Sequence, residues 1–469
     1  MNAKAQGSAE SYVFGRVVQL AVVAALGGFL FGFDTSVING AVDAMQGAWD
    51  TSSLLTGFMV SSALLGCMAG AAMAGGISAK MGRVKVMLMA SVLFAVSALG
   101  SGLAFGPADM IIWRVVGGLG VGAASVIAPA YIAEISPASV RGRLGSLQQL
   151  AIVTGIFAAL LSDAALAAAA GGAAEQLWLG LPTWRWMFMA EVVPAVIYGI
   201  LALTIPESPR YLVQQGREDE ANRVLSEIFI EGVALRIQEI RKTVDTQRKP
   251  RLSDVLNPKR TNLLPIVWIG IVLSVFQQFV GINVIFYYST TLWKSVGFDE
   301  SDALTISVIT SVTNIVVTLL AIALIDRIGR RLLLMIGSTG MTVALGVMTL
   351  AFSLGINPAA EAVELLPGWD TAALIAANAF VVFFGMSWGP GVWVLLGEIF
   401  NNQIRAFALG IAAAAQWLAN FVISTSFPSM ADVGLWFAYG FYTVAALASL
   451  LFVLKFVRET AGRELEDME

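Results

Sequence analysis

Apolar residues fall in long blocks separated by short polar stretches, and the block length is the first informative quantity. Twelve blocks can be drawn, at 17–39, 53–75, 86–105, 110–132, 144–166, 186–205, 263–290, 302–325, 332–353, 371–396, 406–427 and 434–457. Each is long enough to cross about 30 Å of hydrocarbon at about 1.5 Å of rise per residue, so each predicts a membrane-spanning helix. One long polar interval, 206–262, divides the blocks six and six. Its apolar residues recur at helical spacing (Val224, Leu225 and Ile228, then Leu235, Ile237 and Ile240). That pattern predicts short amphipathic helices on the membrane surface. The expected fold class is all-α, a polytopic membrane protein of two pseudo-symmetric six-helix bundles. Its predicted parts are a bundle over 1–205, a linker over 206–262, a bundle over 263–457 and a tail over 458–469.

Composition strengthens this reading. Of 469 residues, 57% are hydrophobic and 13% charged, against about 25% charged in a soluble domain. The mean hydropathy is +0.78. With no His and one Cys, Cys67, a His-based triad, a Cys/His zinc cluster and an internal disulfide are excluded. A net charge of −4 leaves no basic footprint for nucleic acid. The first sixteen residues lack a small-residue cleavage site, so the first block reads as a retained helix. Basic residues set the sidedness. Lys80, Arg83 and Lys85 lie in loop 2–3, Arg141 and Arg143 in loop 4–5, Arg327, Arg330 and Arg331 in loop 8–9, and Arg405 in loop 10–11. The opposite loops offer one clear cation, Lys294, beside Asp299, Glu300 and Asp302. Both termini and the linker are therefore expected in the cytoplasm.

Polar groups at lipid depth are costly unless they face a cavity or one another. Gln149, Gln277, Gln278, Asn283, Asn314, Gln416 and Asn420 all lie inside predicted spans. An amide both donates and accepts, which suits sugar hydroxyls; alternatively such amides only join helices, at about 0.6–2 kcal/mol each. Gln277, Gln278 and Asn283 cannot share one narrow face of a straight helix, and Gly281 among them predicts a break. Gly389-Pro390-Gly391 predicts a kink in the tenth helix, with Trp388 and Trp393 on either side. Asp34 and Arg114 are charges inside apolar runs, each costing about 2.5–3.5 kcal/mol alone, so they are expected to pair. Asp34 then serves as a proton site or as half of a structural ion pair. Gly117-Gly118-Leu-Gly120-Val-Gly122 has a faint likeness to a dinucleotide loop, but Gly118 and Gly122 within a span predict tight helix packing.

The two halves echo each other. Tyr131-Ile-Ala-Glu134 is followed by Arg141-Gly-Arg143, and Leu395-Leu-Gly-Glu398 by Arg405, with seven residues from Glu to Arg in both. Gly82-Arg83 is matched by Gly329-Arg330. Paired motifs in two six-helix halves point to a transporter with its site between them. With Phe31-Gly-Phe-Asp34, Pro206-Glu-Ser-Pro-Arg210, Phe276-Gln-Gln-Phe-Val-Gly-Ile-Asn283, Asp326-Arg-Ile-Gly-Arg-Arg331 and Ser387-Trp-Gly-Pro390, the chain resembles the sugar porter family of the major facilitator superfamily over essentially its whole length. The run Phe276–Gly297 is particularly similar to actinobacterial glucose permeases. Departures are Ala79 for the usual Asp, Arg458-Glu459-Thr460 for Pro-Glu-Thr, Asn401 for Pro and Ala406 for Gly.

The resemblance implies sugar contacts for Gln149, Gln277, Gln278, Asn283, Trp393 and Gln416, and secondarily for Gly389, Asn314, Phe31 and Asn420. It also implies proton coupling at Asp34, where passive facilitators of the family have Asn, with Arg114 as partner and Glu191 as a nearby acid. Glu134, Arg141, Glu207, Arg210, Arg330, Glu398 and Arg405 fall at cytoplasmic helix ends, where ion pairs latch the halves or remain solvated pairs worth under about 1 kcal/mol. The expected activity is proton-coupled symport of a monosaccharide, a glucose-like hexose first, across the cell membrane by alternating access. The alternatives are a passive facilitator and a symporter of a pentose or a polyol such as inositol. A sugar sensor would add a signalling tail, and no nucleophile–base or metal constellation suggests an enzyme. Sugar, proton and lipid are the expected partners, with no cofactor, metal or obligate protein partner.

Overall fold

A computed structural model describes residues 11–137, 140–246, 252–257, 261–356, 364–400 and 404–459. Twelve helices among the described residues are long and apolar enough to cross a membrane. They are α1 Phe14–Gly40, α2 Ser53–Met81, α3 Arg83–Gly102, α4 Pro107–Ile135, α5 Arg143–Ala170, α6 Thr183–Ala202, α7 Pro265–Tyr287, α8 Glu300–Ala323, α9 Arg330–Leu354, α10 Trp369–Leu396, α11 Phe407–Val433 and α12 Leu435–Phe456. Each coincides with a predicted block. Several helices, α2 and α4 most clearly, run past the predicted ends, because helical hydrogen bonding continues beyond the apolar core that hydropathy marks.

Packing repeats between the halves. In the first, α1 packs on α5, α2 and α3 on α4, and α3 on α6; in the second, α7 packs on α11, α8 and α9 on α10, and α9 on α12. Among the described residues the two largest contacts between the halves are α2 with α11 and α5 with α8, and these are equivalent under the repeat. The α2–α4 pair approaches closely. A Cβ on Gly66, Gly70, Gly118 or Gly122 would lie 2.2, 2.3, 1.9 or 2.1 Å from a carbonyl oxygen of the facing helix. Glycine is required there by close approach, as expected of Gly118 and Gly122. Ile309, Val312, Val316 and Leu319 form an exposed stripe along α8, and Val444, Leu447, Leu451 and Leu454 another along α12. Lipid is the physical environment that such contiguous apolar faces fit.

The end with the basic loops is organised identically in both halves. Gly82 (φ 96°) starts α3 and Gly329 (φ 90°) starts α9, each in the left-handed region. The Glu207 carboxylate accepts from the N–H groups of Arg83 (2.8 Å) and Val84 (3.2 Å). The Glu459 carboxylate accepts from those of Arg330 (2.9 Å) and Arg331 (3.0 Å). An anion at a helix N-terminus satisfies otherwise unpaired donors and opposes the helix dipole. Within 206–262 lie the short helices Pro209–Gln214, Glu218–Ile228 and Val233–Thr246. Val224, Leu225 and Ile228 are buried as the spacing predicts, whereas Leu235 is exposed. Arg16, at the start of α1, binds Glu227 at 2.6 Å, tying the second of these helices to the first bundle.

Candidate functional site

The seventh helix is broken where its amides made a straight helix untenable. The regular helix stops at Phe279, Gly281 takes a left-handed conformation (φ 84°), and a new segment runs Ile282–Tyr287. A Cβ on Gly281 would fall 2.7 Å from the Tyr442 ring, so both conformation and space demand glycine. The break lets the Asn283 amide donate to Gln278 Oε1 at 2.6 Å. Five residues apart on a straight helix, these side chains would point about 140° from each other. Gln277 donates to the carbonyls of Trp388 (2.9 Å) and Gly389 (3.2 Å), joining α7 to α10. Its Oε1 stays buried without a hydrogen-bond partner.

The tenth helix bends through a π-turn at Phe384–Trp388 and resumes as Gly389–Ile399, with Pro390 in its first turn. Pro390 has no N–H to give the preceding turn, and the wider turn absorbs that loss. The two indoles part company here. Trp388 is fully buried and donates to Leu334 O (3.1 Å) and Ser338 Oγ (2.9 Å), so it pins α10 to α9. Trp393 is 43% exposed and offers an open ring face. Asn314 is buried, its Oδ1 close to the Gly385 position within the π-turn.

Three further elements carry the remaining residues expected from sequence. Gln149 of α5 is partly exposed, and its neighbour Gln148 is buried with both amide atoms unpaired. On α11, Gln416 has a buried, unpaired Oε1, and Asn420 accepts from Ser424 Oγ at 3.0 Å. Tyr287, the last residue of α7, is buried near Asn420. Phe31 meets the Trp417 ring at 5.7 Å between the halves; the sequence reading named Phe31 and passed over Trp417, Gln148 and Tyr287. If Gln278 and Asn283 hold a neutral hydroxyl, Gln278→Ala and Asn283→Ala should each lose about 1 kcal/mol, roughly fivefold in affinity for glucose. Calorimetry on purified protein checks this, and unchanged affinity in both variants removes α7 from the site.

Asp34 and Arg114 are both 1% exposed and paired. One Arg114 nitrogen donates to Asp34 Oδ1 and to the Asp34 main-chain oxygen, each at 3.0 Å. Asp34 Oδ2 and Arg114 Nε remain without partners. Glu191, at the break between the helices Thr183–Ala190 and Val192–Ala202, is 1% exposed and within hydrogen-bonding reach of Asp34. The structure thus brings together the three charged residues proposed from sequence for proton coupling.

At the end opposite the basic loops the halves are bonded to each other. Asn39 donates to Thr290 Oγ1 (3.0 Å) and accepts from Thr290 N (3.0 Å). Ser61 and Thr425 share a 2.6 Å hydrogen bond between α2 and α11. Asp43 accepts from Thr291 Oγ1 (2.7 Å) and pairs with Lys294 (2.8 Å). Burial pulls the Lys294 ammonium down in pKa, and the Asp43 carboxylate outweighs it and holds the group above its ordinary value. An ion pair this exposed is worth about 1 kcal/mol or less. Lys294→Met should therefore shift the population toward states open at this end by up to about fivefold. The readout is labelling of a cysteine placed at Gln46 in a Cys67→Ser background; unchanged labelling means that the neutral contacts alone hold the end shut.

Of the residues expected to latch the basic end, Glu134 binds Arg83 (2.8 Å) and Glu398 binds Arg330 (2.9 Å), each pair inside one half. Glu134 also accepts from Ser208 Oγ. Arg141 is exposed and donates to Ser136 O at 3.3 Å within its own half. Arg210 is partly buried, and the side chains of Arg405, Asp326 and Arg327 lie outside the described residues. Arg83 and Glu459, not named as gating residues from sequence, share these clusters with Glu134 and Glu207 and with Arg330.

Two six-helix bundles, a broken α7 facing a bent α10, and contacts between the bundles at one end define an alternating-access membrane transporter. A family model described as "Sugar (and other) transporter" matches residues 20–469. The chain belongs to that family, the sugar porters of the major facilitator superfamily. It is 57% identical over 96% of its length to 97% of a glucose transport protein of Synechocystis sp.. It is 37% identical, over 98% of this chain and 95% of the relative, to the D-xylose-proton symporter of Escherichia coli. A partially occluded inward-open structure of the E. coli xylose transporter XylE superposes with a TM-score of 0.82, at 35% identity over 96% of this chain and all of that one.

Proposed function

We propose that this chain is a proton-coupled symporter of a monosaccharide, with glucose or a related hexose as the sugar carried, and that it is not an enzyme. The carrying observation is the Asp34–Arg114 pair, fully desolvated and with Glu191 in reach. One guanidinium faces two carboxyl groups, so the cluster balances its charge when a single proton is held there. Gln149, Gln277, Gln278, Asn283 and Gln416 surround the sugar, with Trp393 offering its ring to the C–H face. Gly389, Asn314, Phe31 and Asn420 shape the wall. The relative named for glucose supports a hexose, and the one named for xylose and protons supports coupling.

The basic loops place that end in the cytoplasm with both termini, the protein lying in the cell membrane. The contacts at the opposite end then form a closed outer gate. The units 1–205, 206–262, 263–457 and 458–469 serve as moving bundle, cytoplasmic linker, second bundle and tail. Glu134, Arg141, Glu207, Arg210, Arg330, Glu398 and Arg405 work the inner gate, forming contacts between the bundles when the outside opens. Counterflow of labelled glucose, xylose and inositol in proteoliposomes, with and without a pH gradient, tests the reading. A second reading is the passive facilitator, in which the Asp34–Arg114 pair is only a structural ion pair. It predicts counterflow without gradient-driven accumulation.

A further inference from the structure

One buried carboxyl group lies outside this scheme. Asp163 of α5 is fully buried, seven residues from the outer end of its helix at Ala170. Its Oδ2 accepts from Gly40 N at 3.3 Å, and its Oδ1 is buried with no hydrogen-bond partner. Gly40 ends α1, and a Cβ there would lie 2.9 Å from the Asp163 side chain, so the backbone is pressed against the carboxyl group. The preceding residue, Asn39, is held by the second bundle through Thr290 and through Ser307 Oγ at 3.4 Å. The dipeptide Asn39-Gly40 is thus gripped from both sides, by α8 and the segment after α7 on one and by Asp163 on the other.

The charged groups on the packed elements are engaged elsewhere or exposed; on α4, Asp109 accepts from Phe105 N. On α1, Asp34 binds Arg114 of α4. Asp43 of the helix Val42–Trp49 binds Lys294. On α6, Arg185 donates to Gly102 O and Ala104 O, while Glu191 faces Asp34. On α8, Glu300 accepts from Ala173 N, and Asp302 sits in the exposed first turn. Among the described residues none of these is bonded to Asp163.

We propose that Asp163 is a second protonation site, loaded when the outer gate shuts and emptied when it opens, whose proton never crosses the membrane. A fully buried carboxylate with one N–H donor and no cation bonded to it among the described residues is not retained as an ion, whereas the neutral acid needs no counter-charge. Opening the gate withdraws Asn39 from Thr290 and Ser307, frees Gly40 and admits external water to Asp163, which then ionises. Closing takes one proton from the external water onto the carboxylate, and reopening returns it to the same side. The net transfer is zero. Asp163 therefore leaves the proton-to-sugar ratio unchanged and makes gate closure depend on external pH. This rests on the sugar-transport and sidedness readings above, and it is separable from the role given to Asp34.

The test is exchange of labelled sugar, the one identified by counterflow, between two sugar-containing compartments. Internal pH is held constant and external pH is raised. Asp34→Asn protein, with the coupling group neutralised, should still slow as external pH rises, by up to about tenfold per unit once closure limits the rate. In Asp34→Asn/Asp163→Asn protein the rate should be flat, since Asn keeps an oxygen for Gly40 N and mimics the neutral acid. Asp163→Asn alone should accumulate sugar at the wild-type proton-to-sugar ratio. A flat profile in Asp34→Asn, or an unchanged slope in the double variant, overturns the proposal, as does an altered ratio in Asp163→Asn. If Asp34→Asn itself still concentrates sugar, the coupling assignment of Asp34 fails, while the slope in the double variant still decides Asp163.

Discussion

Asp34→Asn protein should exchange sugar between two loaded compartments and fail to concentrate it. Asn preserves the size of the side chain and its hydrogen-bonding shape but never carries the charge, so the variant resembles the protonated state permanently. Exchange requires the loaded carrier alone to move. Net accumulation also requires the empty carrier to return, which in the wild type follows release of the proton and re-pairing with Arg114. A gradient of one pH unit is about 1.4 kcal/mol, enough for roughly tenfold accumulation at one proton per sugar. Vesicles driven by such a gradient should reach about tenfold with wild type and no excess with the variant. Accumulation by Asp34→Asn would move the proton site to Glu191. Absence of coupling in the wild type would leave Asp34 and Arg114 as a structural pair.

Gly118→Val should abolish folded protein altogether. The Cβ of residue 118 would stand 1.9 Å from Ala63 O and 2.8 Å from its carbonyl carbon. The obstacle is backbone on a helix held by close contact along its length, so no side-chain rotation relieves it. Separating α2 from α4 by the necessary distance would also dismantle the Gly66, Gly70 and Gly122 contacts and forfeit the dispersion energy of the whole seam. Gly76→Ala is the matched control, since a Cβ there meets nothing within 4 Å. Detergent-solubilised yield and a monodisperse elution profile read both variants. A well-folded Gly118→Val protein would mean that the α2–α4 seam is looser than the carbonyl distances indicate.

Legibility from sequence followed the physics of cost. Asp34 and Arg114 were readable as partners because each charge is prohibitive alone in hydrocarbon. The break at Gly281 was readable because three amides exceeded one helical face. The turn at Phe384–Trp388 was readable only as a kink at Pro390; its π form, and the burial of Trp388 against Ser338, depend on how α9 packs. The clamp of Asp43 with Lys294 joins residues 251 apart in short helices between spans, a pairing that neither sequence segment signals alone. Asp163 lies inside the predicted span 144–166 and was passed over for want of a basic partner; the approach of Gly40 gives it meaning. Arg458-Glu459-Thr460 was noted as a departure from the family pattern, yet the Glu459 carboxylate does the capping and the residue before it is exposed.

The two capping carboxylates bear on biosynthesis. Glu207 follows α6 by five residues and closes onto the start of α3, so the first bundle can lock as soon as that glutamate emerges from the ribosome and reaches the membrane surface. No residue of α7–α12 has been made by then. Glu459 follows α12 by three residues and closes onto the start of α9. The second bundle therefore waits for a residue beyond α12 before its own cap can form. Synthesis runs from one end to the other, and domains complete in that order fold in that order. The first bundle is finished in time to act as the template on which α8 and α11 dock through α5 and α2.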